Sequence, residues 1–136
     1  MTENIASDLD AAVAELELAR ERMHAQATAA RNRRDALAAL TSELEAARGT
    51  ARSPRGEVSV TARATGEVVD VRFTSAAEEL GVDALGRLTV ETVAQAQRAA
   101  AEEAARLVEN ALGEANPQAA EFRAEASRRF GPPLGP

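Results

Sequence analysis

The first third of the chain is one uninterrupted segment of helix-forming residues. Residues 4–48 contain no Gly or Pro and consist largely of strong helix formers. Apolar residues recur there at every seventh position, at Leu9, Leu16, Met23, Ala30, Leu37 and Leu44. A sustained seven-residue apolar spacing is typical of a coiled-coil seam. We therefore predict a long N-terminal helix that ends at Gly49 and carries one narrow apolar stripe.

The length of this helix limits what can cover its stripe. A helix of roughly 44 residues is about 66 Å long, whereas a compact chain of this size has a radius of gyration of about 14 Å. The rest of the chain is too short to cover the stripe, so we expect pairing with a second copy through Leu16, Met23 and Leu37. The alternative is a helical hairpin broken at the polar patch of residues 30–35.

A small sheet is predicted after the helix. Residues 57–63 and 67–73 alternate apolar and polar side chains, which is the strand pattern. Residues 64–67 supply the reversal between them. Residues 49–56 contain Gly, Ser and Pro and indicate a connecting turn, of which residues 49–53 can form one short extra strand.

A two-stranded hairpin is at best marginally stable in water and leaves its outer edges unpaired. We therefore predict a homodimer in which the sheets of two copies join about a two-fold axis. The candidate interface residues of the sheet are Val58, Val60, Val69, Val71 and Phe73.

Two more helices are expected after the sheet. The stripe from Leu85 to Ala111 has helical spacing and predicts a second long helix, capped by Asp83 and ended by Gly113. Residues 117–130 suggest a short helix, and residues 131–136 an extended or disordered end. The fold class is α+β, with a dimerising domain at residues 1–113 and a C-terminal appendage at residues 114–136.

Composition argues against catalysis. The chain has no Cys, no Lys and one His, His24, so we expect no catalytic site, no metal, no cofactor and no small-molecule substrate. The N-terminus carries acids where a secretory signal carries basic residues, and no stretch approaches the roughly 20 apolar residues that span a bilayer. We expect a cytoplasmic protein that does not associate with membranes.

The order of elements resembles the YbaB/EbfC family of bacterial nucleoid-associated proteins. The likeness is carried by the hairpin EVSVTARATGEVVDVRF after the SPRG turn, and by the helix LGRLTVETVAQAQRAAAEEA. The resemblance implies a homodimer with joined sheets and projecting helices. It also implies a protein that binds DNA at the nucleoid with little sequence preference and has no enzymatic activity.

Local charge supports the DNA prediction. The chain has a net charge of −6, yet residues 20–55 hold eight Arg against four acids. The candidate phosphate contacts are Arg31, Arg33, Arg34, Arg48, Arg52 and Arg55. One alternative is that these Arg side chains only solvate the helix and pair with nearby acids. Another alternative function is a protein-interaction scaffold, accessory to a secretion or regulatory system, without significant DNA affinity.

Overall fold

Helices at both ends of the chain flank a small antiparallel sheet. The computed structural model describes the backbone of residues 2–133 and the side chains of residues 4–133. The elements are α1 (Thr2–Ala46), β1 (Arg48–Arg52), β2 (Val58–Arg63), β3 (Val68–Phe73), a 3₁₀ helix (Ser75–Glu79), α2 (Val82–Leu112) and α3 (Pro117–Phe130). The predicted α+β class is confirmed, as is the short extra strand before the hairpin.

The first helix is continuous through the polar patch at residues 30–35, so the alternative of a broken hairpin is wrong. The helix ends at Ala46, and the prediction that Gly49 ends it is also wrong. The Arg48 guanidinium donates hydrogen bonds to the carbonyls of Glu45 and Ala47, each 2.9 Å long, and so satisfies free carbonyls at the helix end. Gly49 lies inside β1 instead.

Contacts divide the chain between Ala38 and Ala39 into two units. The described part of the first unit consists of α1 alone, and the large apolar side chains of its stripe are exposed. Leu16 and Met23 are each 69% exposed, and Leu9 is 61% exposed. The second unit holds the last turns of α1, the sheet, α2 and α3.

The three strands pair in the order β1-β2-β3, with both pairings antiparallel. Val60 pairs with Val71 and Val58 with Phe73, and a bulge interrupts the register at Thr61 and Ala62. The reversal between β2 and β3 contains Gly66 at a φ of +95°, a conformation that glycine adopts readily. Within the described residues, β3 pairs with a strand on one side only.

One face of the sheet packs on α2. Val58, Val60 and Ala62 are fully buried there with Ala96 and Ala100 of α2. Small side chains on the helix let the sheet approach closely, and β1 approaches closest at Gly49. The helix begins two residues earlier than predicted, with Gly81 as its N-cap, so the prediction that Asp83 caps it is wrong; Asp83 lies in the first turn.

The C-terminal helix packs in the same unit as the sheet. Asn116 caps α3 by accepting a 2.8 Å hydrogen bond from the amide of Gln118. Phe122 covers a cluster formed by Leu40, Val108 and Ala119. Residues 134–136, the end of the predicted extended segment, lie outside the described residues.

Two Arg side chains of α3 make polar contacts with the rest of the unit. Arg123 donates to Glu102 and to Glu109 of α2 at 2.7 and 2.6 Å, and these carboxylates raise the pKa of its guanidinium. At the end of α3, Arg129 donates to the carbonyl of Thr65 at 3.3 Å. Gly113 ends α2 as predicted, and α3 packs on α2 beyond it.

Candidate nucleic-acid interface

Arg31, Arg33 and Arg34 lie on the surface of α1. All three side chains are exposed. Arg31 and Arg34 are three positions apart and therefore neighbours on the helix, whereas Arg33 points to a different side. The ion pairs of the described residues all lie between Arg63 and Arg128, so these three Arg form no ion pair with any acid that the structure describes. The alternative that they pair with nearby acids is not observed.

Other Arg residues of the chain are already engaged with carboxylates. Arg72 contacts Asp70 at 2.7 Å, and Arg128 contacts Glu125 at 2.8 Å and Glu121 at 2.9 Å. An arginine held by acids offers a phosphate less net attraction. The Arg side chains of α1 therefore differ from these Arg of the second unit, because they form no ion pair among the described residues. The sequence alone does not reveal this difference.

The second group of candidate residues surrounds β1 and the turn after it. Arg48, Arg52 and Arg55 are exposed. Arg48 is engaged with the backbone carbonyls that end α1, while Arg52 and Arg55 make no ion pair among the described residues. Arg52 and Arg55 are thus the better placed members of this group for contact with an anion.

The turn that carries Arg55 is held by a buried network. The amide of Ser53 donates to the carbonyl of Val58 at 2.9 Å, and the Ser53 hydroxyl accepts from the amide of Val58 at 3.0 Å. The same hydroxyl donates to a carboxylate oxygen of Glu57 at 3.0 Å. Gly56, with a φ of +73°, closes the turn. The predicted turn role of the SPRG segment is confirmed.

Glu57 is buried within this turn and stays ionised. A hydrogen bond from its own backbone amide is the main cause that lowers the pKa of its carboxyl, and the Ser53 hydroxyl and Arg55 act in the same direction. Thr74 fixes the turn from the far side, since its hydroxyl donates to the carbonyl of Gly56 at 2.8 Å. The turn therefore presents Arg55 from a fixed backbone.

The predicted interface residues fall into two groups. Val58 and Val60 are fully buried beneath α2, so their side chains have no surface left for a second chain. Val69, Val71 and Phe73 of β3 are exposed at 44%, 37% and 53%. Sequence alternation identified the buried face correctly, and α2 of the same chain covers it.

His24 lies exposed on α1. In this part of the chain no group of three or more His, Cys, Asp or Glu side chains is placed to hold a metal ion. Of the helices described, none is both long and apolar enough to cross a membrane.

The sequence profile of the YbaB/EbfC DNA-binding family matches residues 10–125. The chain belongs to the YbaB/EbfC family. This is a family of DNA-binding, nucleoid-associated proteins. No curated protein shows significant similarity to the chain. The match to YbaB/EbfC includes most of α1, the sheet, α2 and the first part of α3, so the family relationship extends beyond the predicted domain boundary at Gly113.

Proposed function

We propose that this YbaB/EbfC protein is a homodimer that binds DNA with little sequence preference and has no enzymatic activity. It acts at the nucleoid in the cytoplasm. The observation that carries the proposal is the set of exposed Arg side chains that form no ion pair among the described residues, at Arg31, Arg33 and Arg34 on α1 and at Arg52 and Arg55 beside the turn.

Guanidinium groups of this kind suit the phosphate backbone. Arg offers five donors in a planar fork that matches two phosphate oxygens at once. Contacts to phosphate carry no sequence information and supply most of non-specific affinity. The overall charge of −6 opposes approach to DNA, so binding depends on the local basic surfaces and weakens steeply as salt rises.

The homodimer is supported by the uncovered side of the sheet. Residues directly opposite each other in an antiparallel pair point to the same face. Val71 and Phe73 therefore share the helix-facing side of the sheet with Val60 and Val58, yet they remain partly exposed. An exposed apolar edge strand is a template for another strand, and a second β3 related by a two-fold axis pairs with it.

The site is tested by removing three positive charges from α1 in one variant and three from α2 and α3 in a control variant. The variant Arg31→Gln/Arg33→Gln/Arg34→Gln removes three exposed positive charges from α1. The control Arg87→Gln/Arg106→Gln/Arg128→Gln removes three exposed positive charges from α2 and α3, which changes the net charge equally. Affinity for a duplex is measured for both by fluorescence anisotropy at low salt.

We expect the α1 variant to lose at least tenfold in affinity and to show a salt dependence shallower by about 0.9 per phosphate contact removed. The control is expected to lose much less, because its Arg lie outside the proposed site. Equal losses in the two variants would mean that only net charge matters. No binding of the parent protein at tens of micromolar would favour the scaffold alternative.

The dimer is tested by placing a charge on β3. Phe73→Lys puts an ammonium group on the exposed edge strand, and Leu18→Lys makes the same kind of change at an exposed position of α1 outside the apolar stripe. Sedimentation at micromolar concentration should show a dimer for the parent and for Leu18→Lys. Phe73→Lys should shift toward the monomer while its circular dichroism spectrum stays native. A folded, monomeric parent contradicts the proposed dimer.

A further inference from the structure

The N-terminal part of α1 presents a row of large aliphatic side chains to solvent. Ile5 and Leu9 are each 61% exposed, Val13 is 52% exposed and Leu16 is 69% exposed. Leu9 and Leu16 are seven residues apart, and Ile5 and Val13 each lie four residues from Leu9, so all four share one face of the helix. This apolar row is about 17 Å long between Ile5 and Leu16.

The same part of the helix is strongly acidic. Residues 4–19 contain Asp8, Asp10, Glu15 and Glu17 and no basic residue. All four acids are exposed, and none of them forms an ion pair among the described residues. Asp8 and Glu15 directly precede Leu9 and Leu16 and so border the apolar row on one side. This acidic segment (residues 4–19) therefore combines an exposed apolar row with negative charge that no ion pair neutralises.

We infer that the acidic segment is a docking site for a basic amphipathic helix of another protein. Large apolar side chains at seven-residue spacing on such a helix pack against Leu9 and Leu16, and Lys or Arg at its flanking positions meets Asp8 and Glu15. Single exposed ion pairs contribute little. The apolar row therefore supplies most of the affinity, and the charges select a basic helix over an acidic one.

A second copy of the chain matches this surface less well. Pairing two acidic segments places the four acids of each copy alongside those of the other, and like charges repel. Pairing the acidic segment with residues 20–34 of another copy relieves that repulsion, but those residues contain a single large apolar side chain, Met23. The alanines around Met23 bury much less apolar area than Leu or Ile. Neither pairing satisfies both the apolar row and the charge.

An anionic membrane surface is also a poor match. Amphipathic helices that lie in the lipid interface carry Lys and Arg on their polar face. The negative surface potential of such a membrane attracts basic residues and repels the carboxylates of Asp8 and Glu15. A basic protein helix matches the segment in both apolar contact and charge, so it is the occupant that the surface favours.

The docking site is separate from the proposed DNA contacts on the same helix. Leu16 precedes Arg31 by 15 residues, which is a rise of about 22 Å along the helix axis. The acids of the acidic segment repel phosphates, so DNA does not compete for the apolar row. The inference therefore goes beyond the proposed function and does not rest on it.

A designed peptide serves as the probe. It contains three heptads with Leu at both seam positions and Lys at both flanking positions, and a second peptide carries Glu in place of Lys. Each peptide is labelled, and its fluorescence anisotropy is followed as full-length protein is added, at a concentration where the peptide alone is monomeric. We expect saturable binding of the Lys peptide and at least tenfold weaker binding of the Glu peptide. Equal affinities, or no binding of the Lys peptide, would overturn the inference.

Paired variants locate the binding surface. Leu9→Ser/Leu16→Ser removes two exposed aliphatic side chains from the acidic segment, and Val82→Ser/Val90→Ser removes two from exposed positions of α2. The first pair should weaken binding of the Lys peptide at least tenfold, and the second less than twofold. Equal losses in the two variants would place the peptide elsewhere and refute the site.

Charge is tested in the same way. Asp8→Asn/Glu15→Gln should weaken binding of the Lys peptide about threefold, because two exposed ion pairs are lost. Glu78→Gln/Glu79→Gln makes the same change in net charge at exposed positions of the 3₁₀ helix and should leave the affinity unchanged. The same loss in both variants would mean that only net charge attracts the peptide, which contradicts the inference.

Two measurements check the other occupants. The parent and Leu9→Ser/Leu16→Ser should have the same mass in sedimentation, and neither should bind phosphatidylserine vesicles. A smaller mass for the variant would mean that a second copy covers the row, and vesicle binding that the variant loses would mean that lipid covers it. Either result overturns the inference. Arg31→Gln/Arg33→Gln/Arg34→Gln should keep its affinity for the Lys peptide whether or not the parent binds DNA, which separates the two proposals.

Discussion

Replacing Gly49 with alanine is expected to unfold or severely weaken the second unit. Gly49 lies in β1 where the strand crosses α2, and a Cβ atom built on it would lie 2.1 Å from the backbone nitrogen of Ala100. It would also lie 2.6 Å from the carbonyl oxygen of Ala96. All of these are backbone atoms of a helix, so no side chain can rotate away to make room.

The size of the effect follows from the overlap. Ordinary contacts of a Cβ atom begin near 3.4 Å, so β1 and α2 must separate by more than an ångström to admit the methyl group. Overpacking of a well-packed core costs about 1–3 kcal/mol and occasionally more. Because the clash is with backbone on both sides, we expect about 3 kcal/mol or more, a large part of the roughly 5–15 kcal/mol that stabilises an ordinary domain.

Gly86→Ala is the matched control. Gly86 lies in α2 with no atom within 4 Å of a Cβ built there, and alanine is favoured over glycine in a helix by about 1 kcal/mol. Urea unfolding followed by circular dichroism, at one fixed protein concentration, should show opposite shifts of the midpoint for the two variants. A change below about 0.5 kcal/mol in Gly49→Ala would refute the close approach of β1 to α2.

Three further outcomes are expected. The pKa of Glu57 is lowered in the folded protein, so the ionised carboxylate stabilises the fold above the unfolded pKa of 4.5, and this stabilisation is lost as pH falls through the folded pKa. Urea titrations at several pH values should therefore show that the free energy of unfolding of Glu57→Gln falls less in acid than that of the parent. Phe122→Ala should cost about 2–3 kcal/mol, since Phe122 is only partly buried, whereas Val90→Ala, at a position that is 70% exposed, should change thermal stability little. Arg123→Gln should lower the free energy of unfolding by about 1 kcal/mol, a modest value because Arg123 is partly exposed. Raising the salt concentration should reduce the difference between this variant and the parent.

Local patterns in the sequence predicted the elements well. Seven-residue spacing indicated α1, and strict alternation indicated β2 and β3, because these periods follow directly from backbone geometry. Helix ends were less predictable. Gly49 looks like a helix terminator in the sequence, but its role is to let a strand approach α2. The residues of α2 that it approaches, Ala96 and Ala100, lie about fifty residues further along the chain.

The candidate site also depends on contacts between distant residues, which the sequence does not reveal. Clustering of Arg in residues 20–55 is visible in the sequence, but which guanidinium groups remain unpaired depends on contacts between distant residues. Arg123, for example, is held by Glu102 and Glu109 of the preceding helix. Val58 and Val60 were recognisable as members of an apolar face, but alternation alone does not decide whether α2 or a second chain covers them.

We propose that this protein binds DNA through phosphate contacts without reading the base sequence. The most direct test is to titrate the parent protein against two unrelated duplexes of equal length at several salt concentrations. We predict equal affinities and a log–log salt slope of about −0.9 for each phosphate neutralised, the same for both duplexes. Tight binding to one duplex alone, or an affinity that does not respond to salt, would contradict it.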